Sequence, residues 1–261
     1  MSLFDGISKS IDSFFKAIPF TFKHFGVFLF VPLLLFILLF IITVLIGDST
    51  YHYISNHFLS QLQNNSDSGW FYNLLSYLLR GILFILFKLL FFFIFFFLSG
   101  YIILIILSPL LSYISEKTEK ITNNKTYPFS VSIWMQQVGR SLLLSIRNMG
   151  IQLLLTILVL ILSFIPIIGW ILSPFAAIII FFINAYFFGF SFLDYSFERK
   201  GLSIAQSIAI IRKNKGLALG LGMLFYLAYI IPVLGNFLAP FVAIFLVVAA
   251  TFSVENIVLN E

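Results

Sequence analysis

Long uncharged stretches alternate with short charged ones along this chain, and their lengths predict membrane-spanning helices. The stretch Val27–Gly47 carries no charged residue. A helix of roughly 20 apolar residues crosses about 30 Å of hydrocarbon, so we predict a transmembrane helix over residues 26–47. A second apolar stretch, over residues 70–122, becomes amphipathic and charged at Glu116–Lys120. We predict that it forms a long transmembrane helix whose charged end leaves the bilayer.

The first 18 residues have the pattern of an amphipathic helix. Large apolar side chains recur at i, i+4, i+7 and i+11, which places them on one face. Charged residues occupy other positions, so the segment does not have the pattern of a signal peptide. We predict a helix over residues 1–18 that lies in the headgroup plane as an anchor. The apolar positions are Leu3, Phe4, Ile7, Ile11, Phe14, Phe15 and Ile18.

The second half of the chain contains an internal repeat with an offset of 66 residues. Each unit has a basic amphipathic segment, an apolar arm, a Pro-x-x-Gly turn and a second apolar arm, the order expected of a helical hairpin. We therefore predict two hairpin units, over residues 129–192 and 202–255. The matching segments are Arg147–Gly150 with Lys213–Gly216, Ile165–Gly169 with Ile231–Gly235, and Ser173–Ile178 with Ala239–Ile244.

The first arms of these hairpins are short for a full membrane crossing. About 16 residues of helix measure about 24 Å, against about 30 Å of hydrocarbon. We predict hairpins that enter the bilayer halfway and return, with a full crossing as the alternative. Turn backbone at membrane depth needs burial in protein or contact with water. We therefore expect the hairpins to pack against one another or against other subunits of a homo-oligomer.

Composition changes this picture only by excluding other classes of protein. Residues of the set AVILMFWYC make up 61% of the 261 positions, charged residues 10%, and there is no cysteine. These values exclude a disordered chain, a disulfide scaffold and an ordinary water-soluble domain. We predict an all-α integral membrane protein whose whole length, 1–261, forms one membrane domain with the lipid bilayer as its solvent.

The net charge of +5 predicts an orientation for the chain. We assign 13 of the 15 Lys and Arg residues to three segments: the residues before the first span, the connector between the second span and the first hairpin, and the connector between the hairpins. Because cytoplasmic loops carry an excess of Lys and Arg, both termini are expected in the cytoplasm. The basic residues are spread over connectors without a folded domain to present them, so nucleic acid is not an expected partner.

The candidate chemistry does not include an enzyme active site. The sequence offers no set of nucleophile, base and acid at membrane depth, and no phosphate-binding loop. His52 and His57 are five residues apart, which differs from the i, i+4 spacing of a helical metal pair. We therefore predict a protein that is not an enzyme, with no cofactor, no metal site and no catalytic residue.

Several local patterns, in order along the chain, resemble the CysZ-type sulfate permease family and its uncharacterised membrane relatives. The motif at Asp194–Glu198 resembles the family's Asp-Tyr-Pro-Phe-acid motif, with Ser196 in place of proline. The others cover the start of the first membrane helix, the end of the second and both hairpin turns. They are Gly26–Leu35, Ser108–Leu110 with Ile114–Lys117, Ile165–Phe175 and Ile231–Phe241.

The resemblance implies a fold, an activity and a location. The family has two long transmembrane helices and two pairs of half-penetrating helices, assembled as oligomers in the bacterial inner membrane. Its members take up sulfate for cysteine synthesis and bind it near a Gly-x-Arg-Arg stretch. The matching positions here are Gly26-Val27-Phe28-Leu29, which lack arginine. The hypothesis is a transporter or channel for sulfate or a related small anion. The alternative is a scaffold or lipid-organising protein that keeps the fold without an anion site.

An anion path needs cations or oriented N–H groups, because burying a bare dianion is very costly. The predicted anion-binding positions are Lys23, Gly26, Arg80, Lys88, Arg147 and Lys213. Lys88 either faces an internal anion route or extends to the outer headgroups, and Arg80 either joins it or anchors the interface. Asp194 and Glu198 share a helical face, where they either carry protons or form structural pairs.

Overall fold

A computed structural model of the chain describes residues 2–59, 70–123, 131–232 and 234–258. Within those ranges every regular element is a helix, as predicted. A short 3₁₀ turn, Gly26–Leu29, joins the first two helices. The helices are α1 (Leu3–Phe25), α2 (Phe30–Ile54), α3 (Trp70–Asn123), α4 (Val131–Phe164), α5 (Ile168–Arg199), α6 (Ile204–Lys213), α7 (Lys215–Tyr229) and α8 (Leu234–Val258).

Apolar helices long enough to span a bilayer make this an all-α membrane protein. The described residues contain four such stretches, within Leu3–His57, Ile146–Phe164, Ile168–Arg199 and Leu234–Val254. Helix α7 is also apolar, but its 15 residues measure only about 22 Å. The contacts between residues divide the chain into two compact units, one of Met1–Leu29 with Leu104–Glu261 and one of Phe30–Ile103.

Helix α8 forms the centre of the larger unit. Small and branched apolar side chains along it, such as Ala243, Val247 and Ala250, are fully buried. Helices α1, α5 and α7 pack against it. The buried Thr251 hydroxyl of α8 shares a hydrogen bond with Ser115 of α3 at 2.7 Å, and the Ser253 hydroxyl donates to the Ala249 carbonyl.

Helix α7 lies between α1 and α5, and small residues allow both approaches. A Cβ atom added at Gly216 would lie 2.2 Å from the carbonyl oxygen of Leu3 on α1. One added at Gly222 would lie 1.6 Å from the carbonyl oxygen of Ala185 on α5. Such small-residue surfaces let helix backbones approach closely in membranes. They fix α7 in the unit despite its short length.

Helix α1 continues to Phe25, beyond the residues in which the amphipathic pattern was recognised. Its buried face consists of small residues, including Gly6, Ser10 and Ala17, up to the buried Phe25 at its end, and the Ser10 hydroxyl donates to the carbonyl of Leu217 at 3.0 Å. The other large apolar side chains lie elsewhere, with Phe4 80% exposed. The sequence pattern identified this outer apolar face, whereas the small-residue face that packs on protein has no hydrophobic signature.

The glycines of the two hairpin turns, 66 residues apart, make equivalent contacts. The Gly169 N–H donates to the Ile165 carbonyl at 2.6 Å, and the Gly235 N–H donates to the Ile231 carbonyl at 2.7 Å. A Cβ at either glycine would strike a carbonyl oxygen of the preceding arm, at 2.1 Å and 1.8 Å respectively. Glycine is therefore required at both turns by the close approach of the two arms.

The two units differ where the basic segment meets the first arm. Helix α4 runs without interruption through Asn148. At the equivalent Asn214 the backbone leaves the helical region, with φ −117° and ψ 43°, and α6 ends. The Asn214 amide donates to the Ile210 carbonyl at 3.1 Å, a local bond that competes with helix continuation.

Candidate functional site

Polar side chains face one another at three levels between the antiparallel helices α4 and α5. Arg140 meets Asp194 near one end, and Gln152 meets Asn184 deeper in the apolar part. The twelve-residue separation along α4 corresponds to about 18 Å. We call this surface the polar seam: Arg140, Arg147, Asn148 and Gln152 on α4, with Asn184, Tyr186, Asp194 and Glu198 on α5.

The first level is a bidentate ion pair. Arg140 donates from Nη1 to Asp194 Oδ2 at 2.7 Å and from Nη2 to Asp194 Oδ1 at 3.1 Å. Nη2 also donates to the Ser207 hydroxyl of α6 at 2.8 Å, and Glu198 lies 4.0 Å from Nη1. Asp194 is only 2% exposed. Because a buried charge needs a partner, this arginine ties α4, α5 and α6 together.

A second buried ion pair flanks the first level. Arg199 Nε lies 3.4 Å from Glu119 Oε2, and both side chains are 2% exposed. Arg199 also donates to the Ser112 carbonyl at 3.3 Å, which connects the end of α5 to α3. These contacts stabilise the end of the seam electrostatically rather than by apolar packing.

The middle level combines one guanidinium with a buried amide. Arg147 donates to Asn148 Oδ1 at 3.0 Å. Asn148 is 2% exposed, and its Nδ2 has no hydrogen-bond partner among the described residues. Guanidinium and amide N–H groups are donors that an oxyanion accepts from, so this level can hold an anion.

The deepest level is an uncharged chain of hydrogen bonds. Gln152 Nε2 donates to Asn184 Oδ1 at 2.5 Å, and Asn184 Nδ2 donates to the Tyr226 hydroxyl of α7 at 3.0 Å. The rings of Phe181 and Phe188 lie 5.4 Å and 6.0 Å from the Tyr226 ring. Polar side chains within apolar helices need hydrogen-bond partners, because an unsatisfied polar group is costly away from water. This chain continues the polar surface from the charged levels toward the hairpin turns.

The predicted anion-binding residues have different environments. Arg147 belongs to the seam, whereas Lys23 and Lys213 are exposed and Gly26 begins the 3₁₀ turn. Arg80 and Lys88 belong to the other unit, where Lys88 forms an ion pair with Asp48. Roles for these residues in anion binding stay predictions. Asp194 and Glu198 both lie beside Arg140, and a proton-carrying role for them also stays a prediction.

Several seam residues carried no individual signal in the sequence. Arg140 has a sequence signal only as one of the cytoplasmic charges, and Gln152 and Asn184 lie within apolar arms. A usable signal is the spacing of Arg140, Asn148 and Gln152, which lie at i, i+8 and i+12 on one helical face. The α5 partners of Arg140 and Gln152 are 54 and 32 residues away in sequence, which no local pattern predicts.

Apolar hairpins around a buried polar seam define a multi-helix integral membrane protein. The family described as "Sulfate transporter CysZ/Etoposide-induced protein 2.4" matches residues 13–240, and the chain belongs to it. A curated relative, the "Sulfate transporter CysZ" of Pseudomonas fluorescens, is 27% identical over 138 residues. That alignment covers 52% of this chain and 54% of the relative, so it spans about half the length of each protein.

Proposed function

We propose that this protein is an inner-membrane transporter or channel for sulfate or a related small anion. Membership of the family is the observation that carries the proposal. The similarity to a protein named a sulfate transporter supports sulfate as the first substrate to test. In this proposal the protein is a transporter and not an enzyme. The donors of the site replace the hydrogen bonds to water that the anion loses.

The middle level of the polar seam supports an anion-binding role. The Arg147 guanidinium lies beside Asn148, and the buried Nδ2 of Asn148 has no hydrogen-bond partner among the described residues. A sulfate dianion loses strong hydration on entering a membrane, and charged donors compensate for that loss best. We propose that the anion binds here and then passes the amides of Gln152 and Asn184.

The first level supports a role for protons in this path. Arg140 is held by Asp194 and is close to Glu198. A proton on Asp194 removes one negative charge from the arginine's surroundings and makes its guanidinium available to an anion. Proton-linked uptake therefore depends on Asp194 in this proposal, whereas simple channel behaviour does not.

The proposed arrangement in the membrane has both termini in the cytoplasm, half-penetrating hairpins and a homo-oligomer. The native chain has no cysteine, so a single introduced thiol reports the side of the turn. Ile167 is 69% exposed at the first turn and is a better position than the tightly approached Gly169. We expect Ile167→Cys to resist an impermeant label added outside. Rapid labelling from outside indicates a full crossing instead.

Uptake of radiolabelled sulfate into proteoliposomes tests the function. We expect sulfate accumulation with the wild-type chain and about a tenfold slower uptake with Arg147→Gln, because one charge-assisted interaction is lost. Lys215→Gln is the matched control, since Lys215 is an exposed cation beside the second arm, and it should retain normal uptake. Equal uptake by wild-type and empty vesicles contradicts the proposal.

A specific observation favours the scaffold or lipid-organising alternative. Positions 26–29 read Gly-Val-Phe-Leu, without the arginine pair that the resemblance associates with sulfate. If wild-type vesicles accumulate neither sulfate nor other small oxyanions while the protein stays folded, this alternative becomes the better description. If uptake occurs and Arg147→Gln slows it, the seam has taken over the role of those arginines.

A further inference from the structure

An apolar groove in the unit Phe30–Ile103 has a pair of opposite charges on its rim. The groove lies between α2 and α3, has a volume of about 190 Å³ and is lined mainly by Phe40, Val44, Phe87, Phe91 and Phe95. The lining is predominantly apolar, and the Thr43 hydroxyl beside it already donates to the Leu39 carbonyl, so the groove is expected to favour hydrocarbon over water.

The rim pair is accessible rather than buried. The Lys88 ammonium donates to the Asp48 carboxylate, and the two side chains are 42% and 44% exposed. The ammonium also lies 5.5 Å from the centre of the Phe84 ring. An exposed ion pair contributes little to stability by itself. Both charges therefore remain available to a ligand that carries the opposite charges.

The depth of the pair matches the headgroup layer. The stretch Phe30–Gly47 is uncharged and measures about 27 Å as a helix, close to the thickness of the hydrocarbon core. Asp48 follows at its end, where charge is expected at the membrane boundary. The groove extends from this boundary back to Phe40, eight residues or about 12 Å into the hydrocarbon.

We propose that the groove binds one molecule of a zwitterionic glycerophospholipid with a primary amine, phosphatidylethanolamine. The lipid phosphate contacts Lys88, its ammonium contacts Asp48, and part of one acyl chain fills the groove. The ion pair of Lys88 and Asp48 disfavours lipids with other headgroups. An anionic headgroup meets repulsion from Asp48, and a choline headgroup has no N–H to donate to the carboxylate. A free inorganic anion leaves the apolar groove unfilled.

Native mass spectrometry of the full-length, delipidated protein tests the proposal. The protein is titrated with phosphatidylethanolamine, phosphatidylcholine and phosphatidylglycerol of identical chains. We expect phosphatidylethanolamine to bind about tenfold more tightly than the other two, the effect of one charge-assisted hydrogen bond. Asp48→Asn should remove that preference, and Lys88→Met should weaken binding of all three lipids.

A variant in the groove tests the acyl-chain contact separately. Val44→Phe fills the groove and should lower phosphatidylethanolamine binding, whereas Leu45→Phe adds the same ring at a position that is 61% exposed and outside the groove and should not. Equal affinity for all three lipids, unchanged in Asp48→Asn, overturns the proposal even if Val44→Phe fails to fold. Because the readout is lipid binding, it is independent of whether sulfate is transported.

Discussion

The two hairpin units share one sequence pattern and the same glycine hydrogen bond at the turn but differ in what they bury. In the second unit, 67% of the apolar stretch in α8 is buried, against 17% of the corresponding stretch in α5. The seam residues Gln152 and Asn184 correspond, at the 66-residue offset, to Ala218 and Ala250. One copy of the hairpin thus carries polar side chains, and the other carries small residues that allow helices to approach closely.

The difference shows how a duplicated membrane hairpin can divide two tasks. Lipid offers no hydrophobic drive for helix association, so close packing of small residues stabilises the assembly. A polar route needs donors that interrupt such packing. The second unit stabilises the fold through the packing around α8. The first unit can therefore contain buried polar groups without loss of the fold. Exchanging residues at equivalent positions tests this division directly.

The largest effect is expected from the glycine pair Gly150 and Gly216. A Cβ at Gly216 meets the Leu3 carbonyl at 2.2 Å, while a Cβ at Gly150 meets no atom within 4 Å. We expect Gly216→Ala to separate α1 from α7 and to abolish the monodisperse folded protein in size-exclusion chromatography. Gly150→Ala should instead raise the unfolding temperature slightly, because alanine favours a helix by about 1 kcal/mol over glycine.

The glycine pair also provides its own control. Both variants add the same methyl group to the same position of the repeat, so a difference reports the surroundings alone. Equal behaviour of Gly150→Ala and Gly216→Ala contradicts the idea that α7 is packed more tightly than the equivalent part of α4.

Sequence analysis could predict the elements of the fold because each has a strong local signal. The uncharged runs gave α2 and α3, and the repeat gave both Pro-x-x-Gly turns with their glycines. The break at Asn214 was not predicted, because Asn148 has the same sequence context and lies in a continuous helix. The choice there depends on tertiary packing, which a local pattern does not contain.

The residues of the candidate site were harder to predict, because their grouping also depends on tertiary packing. Arg147 and Asp194 could be singled out because charge within or beside an apolar segment is unusual. Asn184 could not be singled out, since one amide in an apolar arm does not indicate a polar site. Its partners Gln152 and Tyr226 come from other segments of the chain. The packing between hairpins brings these groups together, and no pattern within either arm encodes it.

The next largest effect is expected at Arg140, whose equivalent in the second unit is Gln206. Arg140→Gln gives the first unit the residue of the second and leaves the buried Asp194 carboxylate without its bidentate partner. Breaking a buried pair in this way costs about 3–5 kcal/mol. We expect a correspondingly lower free energy of unfolding in detergent, measured by denaturant titration.

A double-mutant cycle separates the lost pair from a general disturbance at Arg140. Adding Asp194→Asn removes the negative charge that Arg140→Gln leaves buried, so the double variant should recover part of the stability. A double variant less stable than either single variant contradicts this role of the pair.

The smallest effect on stability is expected when Gln152 and Asn184 are both changed to alanine, the residues at the equivalent positions of the second unit. Neither amide is left unpaired, although the Tyr226 hydroxyl loses the bond from Asn184, so we expect the free energy of unfolding to fall by about 1–2 kcal/mol, less than in Arg140→Gln. Sulfate uptake should nevertheless fall about tenfold, because the deepest donors of the proposed path are gone. Asn184→Ala alone should be less stable than the double variant, since it leaves Gln152 unpaired. Normal uptake by a well-folded double variant contradicts a path along the seam and leaves the polar pair as a packing feature of the first hairpin.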